Sequence, residues 1–348
     1  MLPTLKCFRL LNFSLAICIS LCALTASAQE PSDRVRGIEL FKHNETTGAI
    51  AALSLAVKQN PADSEAWYFL GLARNRQNDV KGARKAFAAA IKGRYEFAPA
   101  HTAYAYSLLL TDRIDDAGDE ARRALELNPN DAEAHYVLGS VYLRQGNPTE
   151  AQRAAESATK LKQVFPAAYL LKYQALLADI AERAETGWRK RNSKAVDSLE
   201  ERRQQVARRQ KTAERFQQAA DALEIYISQS PRDQGDPWRE QLATVRAYST
   251  TGQDAFSGWE VDTRVKVLKK PAPDYTAAAQ DAGVAGTVML RAVFSGQGTV
   301  EHILVLSYLP YGLTEAAVAA AKKIKFVPAT KNGKPVSMFM QLEYNFSF

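Results

Sequence analysis

Small and apolar residues recur along residues 30–165 at a fixed interval of 34. In units beginning at Glu30, Ser64, Ala98 and Ala132, the twentieth position is Ala49, Ala83, Ala117 and Ala151, and the twenty-seventh is Ala56, Ala90, Ala124 and Ala158. The eighth holds Gly37, Gly71, Ala105 and Gly139, and the twenty-fourth holds Leu53, Phe87, Ala121 and Ala155. Pro61 and Pro129 close the first and third units. Small residues at such spacing let two antiparallel helices approach closely, and one pair leaves a face uncovered until a neighbour stacks on it. The pattern predicts a solenoid of helical hairpins over 29–165.

After Pro166 the register fails. Ala167 to Ala184 reads as a helix, Gly187 and Asn192-Ser193 interrupt it, and Lys194 to Ile227 reads as a longer second helix. Ala219, Leu223 and Pro231 restore the end of a repeat-like unit, and Pro237 to Tyr248 reads as a capping helix. Residues 166–250 are therefore expected to form a degenerate repeat with an inserted, lengthened hairpin, and 251–262, with Gly252 and Gly258, to form a linker.

Beyond residue 262 the period changes. Arg264 to Leu268 alternates as a short strand, Asp274 to Asp281 reads as a brief helix stopped by Gly283, and Gly286 to Phe294 and Thr299 to Ser307 read as a hairpin about Ser295-Gly296-Gln297-Gly298. That glycine-rich turn is not a phosphate loop, because no helix follows it. Leu313, Ala316, Ala317, Ala320, Ala321 and Ile324 mark the buried stripe of a second helix.

The last stretch alternates with period two. Val336, Met338, Met340, Leu342, Tyr344, Phe346 and Phe348 fall on one side, and Ser337, Gln341, Glu343, Asn345 and Ser347 on the other, with Phe339 out of place. This predicts an antiparallel strand whose apolar face covers the Leu313 to Ile324 helix and whose second face is wet. Alternating aromatics that end in Phe also match the last strand of an outer-membrane barrel, but about four strands are too few to close one. The expected fold class is mainly α, a helical-hairpin solenoid followed by a small α+β domain with an antiparallel sheet.

The 34-residue units resemble the tetratricopeptide repeat, and the second carries most of its pattern in Trp67, Leu70, Gly71, Ala83 and Phe87. The resemblance implies a concave face lined by the first helix of each unit. Carried over residue by residue, that face holds Tyr68, Leu72, Asn75 and Arg76, then Thr102, Tyr106 and Leu109, then Tyr136, Ser140, Leu143 and Arg144. Tyrosines interleaved with arginines suit an extended peptide; ordinary solvated helix faces with a few packed aromatics are the alternative. The Lys/Asn set that clamps a terminal carboxylate in some family members is absent. His101 and His135 share one repeat position without a companion Cys or carboxylate, so they are expected as packing residues where the family has its tryptophan, not as metal ligands.

Pro273-x-Tyr275, Gly283-x-x-Gly286-x-Val288, Gly298-x-Val300, Leu313 with Ala316-Ala317, Phe326-x-Pro328-Ala329, Gly333-x-Pro335-Val336 and the aromatic last strand resemble the C-terminal domain of the energy transducer TonB over 263–348. The resemblance implies helices packed on an antiparallel sheet in the periplasm, gripping an extended segment of an outer-membrane receptor by strand addition. Here the expected edge is the last strand, through Val336, Met338, Met340, Leu342, Tyr344 and Phe346. A TonB transducer also needs an uncleaved membrane helix and a long proline-rich spacer, and this chain has a solenoid in the spacer's place.

Composition narrows the function. Lys6 and Arg9 precede an apolar run from Leu10 to Leu24, and Ala26-Ser27-Ala28 supplies a cleavage site, which is the pattern of a secretory signal peptide over 1–28. An uncleaved anchor is the alternative. Cys7, Cys18 and Cys22, all the cysteines, lie in that leader, so the mature chain carries no disulfide framework, thiolate metal site or cysteine nucleophile. Losing the leader lowers the formal charge from +7 to +5, which requires no nucleic-acid partner.

Arg183 to Arg215 carries a net +6, nucleic-acid or anionic-membrane binding being its sharp reading and a solvated helix face its bland one; aromatics are sparse and an exported chain rarely meets nucleic acid, which leaves an anionic membrane surface beside the bland reading. His43, His101, His135 and His302 fall in separate elements, and no motif pairs carboxylates or places a serine on an elbow, so neither an enzyme nor a cofactor is expected. The leading expectation is a periplasmic adaptor that binds envelope proteins or extended peptides. The alternative is an anchored, atypical energy transducer serving outer-membrane transport.

Overall fold

The computed structural model describes residues 32–189, 199–251, 255–258 and 260–347. The leader and the Asn192-Ser193 interruption lie outside these residues. The chain divides into two compact units, 1–111 and 112–348.

The first unit is α1 (Asp33–Lys42), α2 (Thr46–Gln59), α3 (Ser64–Arg76), α4 (Val80–Gly93) and α5 (Ala98–Leu110). Asp63 and Asp79 cap α3 and α4 by accepting from the N–H groups of Ala66 and Gly82. The eighth and twenty-fourth repeat positions meet. A Cβ on Gly37 would lie 2.6 Å from the Leu53 side chain, and one on Gly71 would lie 2.4 Å from the Phe87 ring. A larger residue on one helix is thus received by a glycine on its neighbour, and Leu53, Leu70 and Phe87 are at most 1% exposed.

The second unit opens with α6 (Ile114–Leu127), α7 (Ala132–Arg144) and α8 (Pro148–Leu161), then the long α9 (Pro166–Arg189) and α10 (Leu199–Gln229), then α11 (Arg232–Thr251). Helix α9 runs on through Gly187, so the expected break there does not occur, since the cost of one glycine in a helix is only about 1 kcal/mol. Four hairpin turns share a left-handed residue at the 34-residue interval: Asn44 at φ 67°, Asn78 at 63°, Asp112 at 62° and Gly146 at 76°. Asn, Asp and Gly are the residues that adopt this conformation at least cost.

The remaining elements are β1 (Ala255–Phe256), β2 (Lys266–Lys269), α12 (Ala277–Asp281), β3 (Gly286–Phe294), β4 (Val300–Val305), α13 (Leu313–Lys322), β5 (Lys325–Val327), β6 (Ala329–Lys331) and β7 (Lys334–Phe346). Seven strands form, more than the four expected, because the short β1, β5 and β6 leave no period to read. The main sheet runs β1-β7-β3-β4, with β6 paired to the start of β7, and β2 pairs β5 in a separate ribbon. Strands β7 and β3 make an unbroken antiparallel ladder from Gly286↔Phe346 to Phe294↔Met338.

Both faces of the sheet are used. Val288, Leu290, Leu342, Tyr344 and Phe346 pack with Leu313, Ala317 and Ile324 of the α13 segment, as expected. The other face, predicted to be wet, meets the helices: Val293, Leu304 and Phe339 join Tyr173 and Leu177 of α9, Phe216 and Leu223 of α10, and Tyr248 of α11. Phe339, out of place in the alternation, stacks on Tyr248 with ring centroids 5.5 Å apart. Its side chain marks where helices cover a strand face that period two alone reads as solvent.

Candidate functional site

An edge strand offers unpaired backbone donors and acceptors, so a strand-adding site is found by asking which edge is covered. At the β4 end, α11 covers it. The Val305 N–H donates to Gln241 Oε1 at 3.1 Å, and the Tyr248 hydroxyl donates to the His302 carbonyl at 2.9 Å.

At the opposite end the cover is partial. Strand β1 pairs in parallel with β7 only at Ser337 and Met338, and β6 pairs only with Lys334 to Val336. From Phe339 to Phe346, β3 is the strand partner of β7 among the described residues. The ammonium of Lys270 donates to the Glu343 carbonyl at 2.6 Å and lies 4.4 Å from the Tyr344 ring centroid.

That contact fixes which groups face outward. Glu343 pairs with Met289, whose own carbonyl accepts from β4-side N–H groups of Leu306 and Ser307. The Met289–Glu343 pair is therefore a non-hydrogen-bonded one, and Glu343 turns its backbone groups away from β3. By the two-residue period, Phe339, Gln341, Glu343 and Asn345 turn N–H and C=O to the side of β7 away from β3. The expected residues Met340, Leu342, Tyr344 and Phe346 instead bond to β3 and point their side chains to the α13 core or its margin. Val336 and Met338 lie where β6 and β1 already pair. The odd-numbered groups were missed because side-chain alternation reports faces, not edges.

The sheet is braced from behind. Arg291 on β3 is half-buried, with its guanidinium carbon 4.9 Å from the Phe339 ring centroid, 5.9 Å from Tyr248 and 6.0 Å from Phe216. Burial lowers its pKa from the usual arginine value, and the nearby Tyr248 opposes that shift. The phenols of Tyr173, Tyr248 and Tyr308 are raised above the ordinary tyrosine value, chiefly by burial. Residues 257–260 are tied to α10 as well. The Glu260 side chain is buried, pairs with Arg209 of α10 and accepts from the Ser257 N–H at 2.6 Å.

The repeat residues divide. In the first unit Tyr68 packs against Phe69, Phe87 and Phe97, with centroids 5.4, 6.0 and 5.2 Å away. Thr102 is buried and bonds the Ala98 carbonyl. Arg76 is exposed, donates to the Phe41 carbonyl at 2.7 Å and lies over the Phe41 ring. Leu72, Asn75, Tyr106 and Leu109 are half-buried.

In the second unit Tyr136 packs on Phe165, Ser140 donates to the Tyr136 carbonyl at 2.9 Å, Leu143 is half-buried, and Arg144 pairs with Asp112. Trp67 Nε1 donates to the Pro61 carbonyl at 2.9 Å, while His101 Nε2 sits 2.7 Å from the Tyr95 carbonyl and His135 Nε2 3.0 Å from that of Pro129. The histidines thus make the same six-residue backward contact as the tryptophan, each ring nitrogen acting as donor.

No described helix is long and apolar enough to cross a membrane. Residues 271–348 match the family described as "Gram-negative bacterial TonB protein C-terminal". Residues 34–101 and 120–153 match two models of the tetratricopeptide repeat. A curated relative, the "Cell division cycle protein 27 homolog" of Caenorhabditis elegans, is 31% identical over 117 residues, which is 32% of this chain and 15% of that protein.

Among solved structures, MamA is 22% identical with a TM-score of 0.40, covering 54% of this chain and 94% of its own. The structure titled "Functional Characterization of Pseudomonas Aeruginosa pilF" is 16% identical with a TM-score of 0.44, covering 64% of this chain and 84% of its own. The chain combines tetratricopeptide repeats with a module similar to the TonB C-terminal domain, both being kinds of module that bind proteins.

Proposed function

We propose that the protein is a non-enzymatic adaptor of the Gram-negative periplasm that captures an extended segment of an envelope protein along β7. The observation that carries this reading is the asymmetry of the sheet: α11 covers the β4 edge, while over Phe339 to Phe346 β3 is the strand partner of β7 among the described residues, with no second strand on its other side. An added strand would bond the backbone of Phe339, Gln341, Glu343 and Asn345, with Lys270 yielding the Glu343 carbonyl. Main-chain bonds supply affinity and alternate side chains supply specificity. An outer-membrane receptor segment is the partner class that the family match favours. The repeats of the first unit offer a second peptide surface through Leu72, Asn75, Arg76, Tyr106 and Leu109.

A photoreactive residue placed at Gln341 tests the edge in cells, with the same residue at exposed Glu301 on β4 as the comparison. The reading expects an adduct with one envelope protein from position 341 and none from 301. Equal labelling from both positions would remove β7 as the site. Periplasmic placement rests on the leader, so N-terminal sequencing is expected to find a chain beginning at Gln29. A retained Met1 would favour the anchored transducer.

A further inference from the structure

A second concentration of positive charge lies outside the basic helix. Thr263 bridges Thr330, Lys266 pairs with Val327, Val267 with Phe326 and Lys269 with Lys325. These contacts form one antiparallel ribbon of the 263–269 and 325–330 segments, interrupted by a bulge at Leu268. Residues 263–273 contain Arg264, Lys266, Lys269 and Lys270, and residues 316–342 contain Lys322, Lys323, Lys325, Lys331 and Lys334; neither stretch contains an acid.

Two lysine pairs, Lys269↔Lys325 and Lys331↔Lys334, sit directly opposite one another across strands, an arrangement that costs stability. Lys322 reaches Glu240 at 3.7 Å, whereas Lys266, Lys269, Lys323, Lys325 and Lys334 make no ion pair with a described residue. The Arg183 to Arg215 stretch differs, since Arg183 and Arg215 pair with Asp179 at 2.8 and 3.1 Å and Arg209 pairs with Glu260.

Among the free lysines the ribbon also exposes aliphatic side chains. Leu268 is 62% exposed, Val327 48% and Val267 38%. Lysines on an exposed strand discourage edge-to-edge pairing, which accounts for Lys266 and Lys269. It does not account for three exposed aliphatics set among them. An acidic peptide or a soluble polyanion needs the cations alone; the headgroup layer of an anionic bilayer takes both, the ammonium groups at the phosphates and the aliphatic tips just beneath.

We infer that the 263–270 and 322–331 ribbon is a docking surface for an anionic lipid bilayer. Phosphodiester headgroups relieve the Lys269–Lys325 opposition, and Leu268, held out by the bulge between Lys266 and Lys269, enters the acyl boundary.

Flotation of the full chain with phosphatidylcholine vesicles, with or without phosphatidylglycerol, tests this. The wild-type protein is expected to bind only the anionic vesicles and to release at high salt. The triple variant Lys266→Gln/Lys269→Gln/Lys325→Gln should bind about 100-fold more weakly, each charge contributing about fivefold near the surface, with a melting temperature no lower than that of the wild type. Leu268→Ser should weaken binding severalfold, and Arg203→Gln/Arg208→Gln/Lys211→Gln on α10 should leave it intact. Wild-type binding by the ribbon triple, loss of binding in the α10 triple, or soluble polyglutamate bound more tightly than vesicles would each overturn the inference, the last in favour of an acidic peptide.

Discussion

Gly71 and Arg291 show how single positions hold the two units. A methyl group at Gly71 would press on the Phe87 ring, which is 1% exposed and cannot retreat. Gly71→Ala should therefore destabilise the first unit by about 1–3 kcal/mol, read as a lower urea midpoint at unchanged slope. Arg291 brings its stem and guanidinium among Phe216, Tyr248 and Phe339. Arg291→Ala should cost about 2–4 kcal/mol by emptying that space, whereas Arg291→Met, which fills it without a charge, should cost less than about 1.5 kcal/mol. Chemical unfolding of the two variants separates packing from charge.

At this scale much was legible. His101 and His135 stand in register with Trp67, and the three make one contact. The series Asn44, Asn78, Asp112 and Gly146 was equally open to reading at the same interval. Apolar spacing does not reveal it, because turn residues carry no apolar side chain. Arg291 was not legible: an arginine in a strand reads as solvent-facing until the elements that cover it are known.

Elements were placed well where one period ran long and poorly where the chain is short or doubly covered. Strand β3 has its predicted limits, and β7 is displaced by two residues to Lys334–Phe346. The face of β7 around Phe339 was misread because its burial comes from α11, more than eighty residues away in sequence. The same interface carries a pH dependence. Tyr173 on α9, Tyr248 on α11 and Tyr308 after β4 have phenols raised by burial.

A raised folded pKa means the folded state keeps protons that the unfolded chain releases above about pH 10. Stability is then complete below that pH and falls as pH rises through the folded values. Ultraviolet titration of tyrosinate should show these phenols ionising only together with loss of helical circular dichroism. Complete, reversible tyrosine titration near pH 10 with the helices intact would contradict the packing.

At the scale of the whole molecule, the chain divides into compact units after residue 111, while its composition and period change over 251–262. Glycines and a change of period mark where a pattern ends, not where packing ends. Here α9, α10 and α11 pack on the sheet through Val293, Leu304 and Phe339. Residues 263–348 expressed alone should therefore expose these side chains, bind a hydrophobic dye and melt lower than residues 112–348. Equal melting would mean the helices contribute nothing to the sheet.

In the proposed complex a partner's strand is held by the outward backbone of β7. That hold is tested most directly by the affinity of the peptide that crosslinks to position 341, measured for the wild-type chain and for Glu343→Pro. Proline removes an outward N–H while leaving the ladder to β3 its donors, and edge positions tolerate it. Glu343→Pro should bind at least about tenfold more weakly at an unchanged melting temperature, through the loss of one backbone bond and its neighbour's alignment. Equal affinity for the two proteins would contradict it.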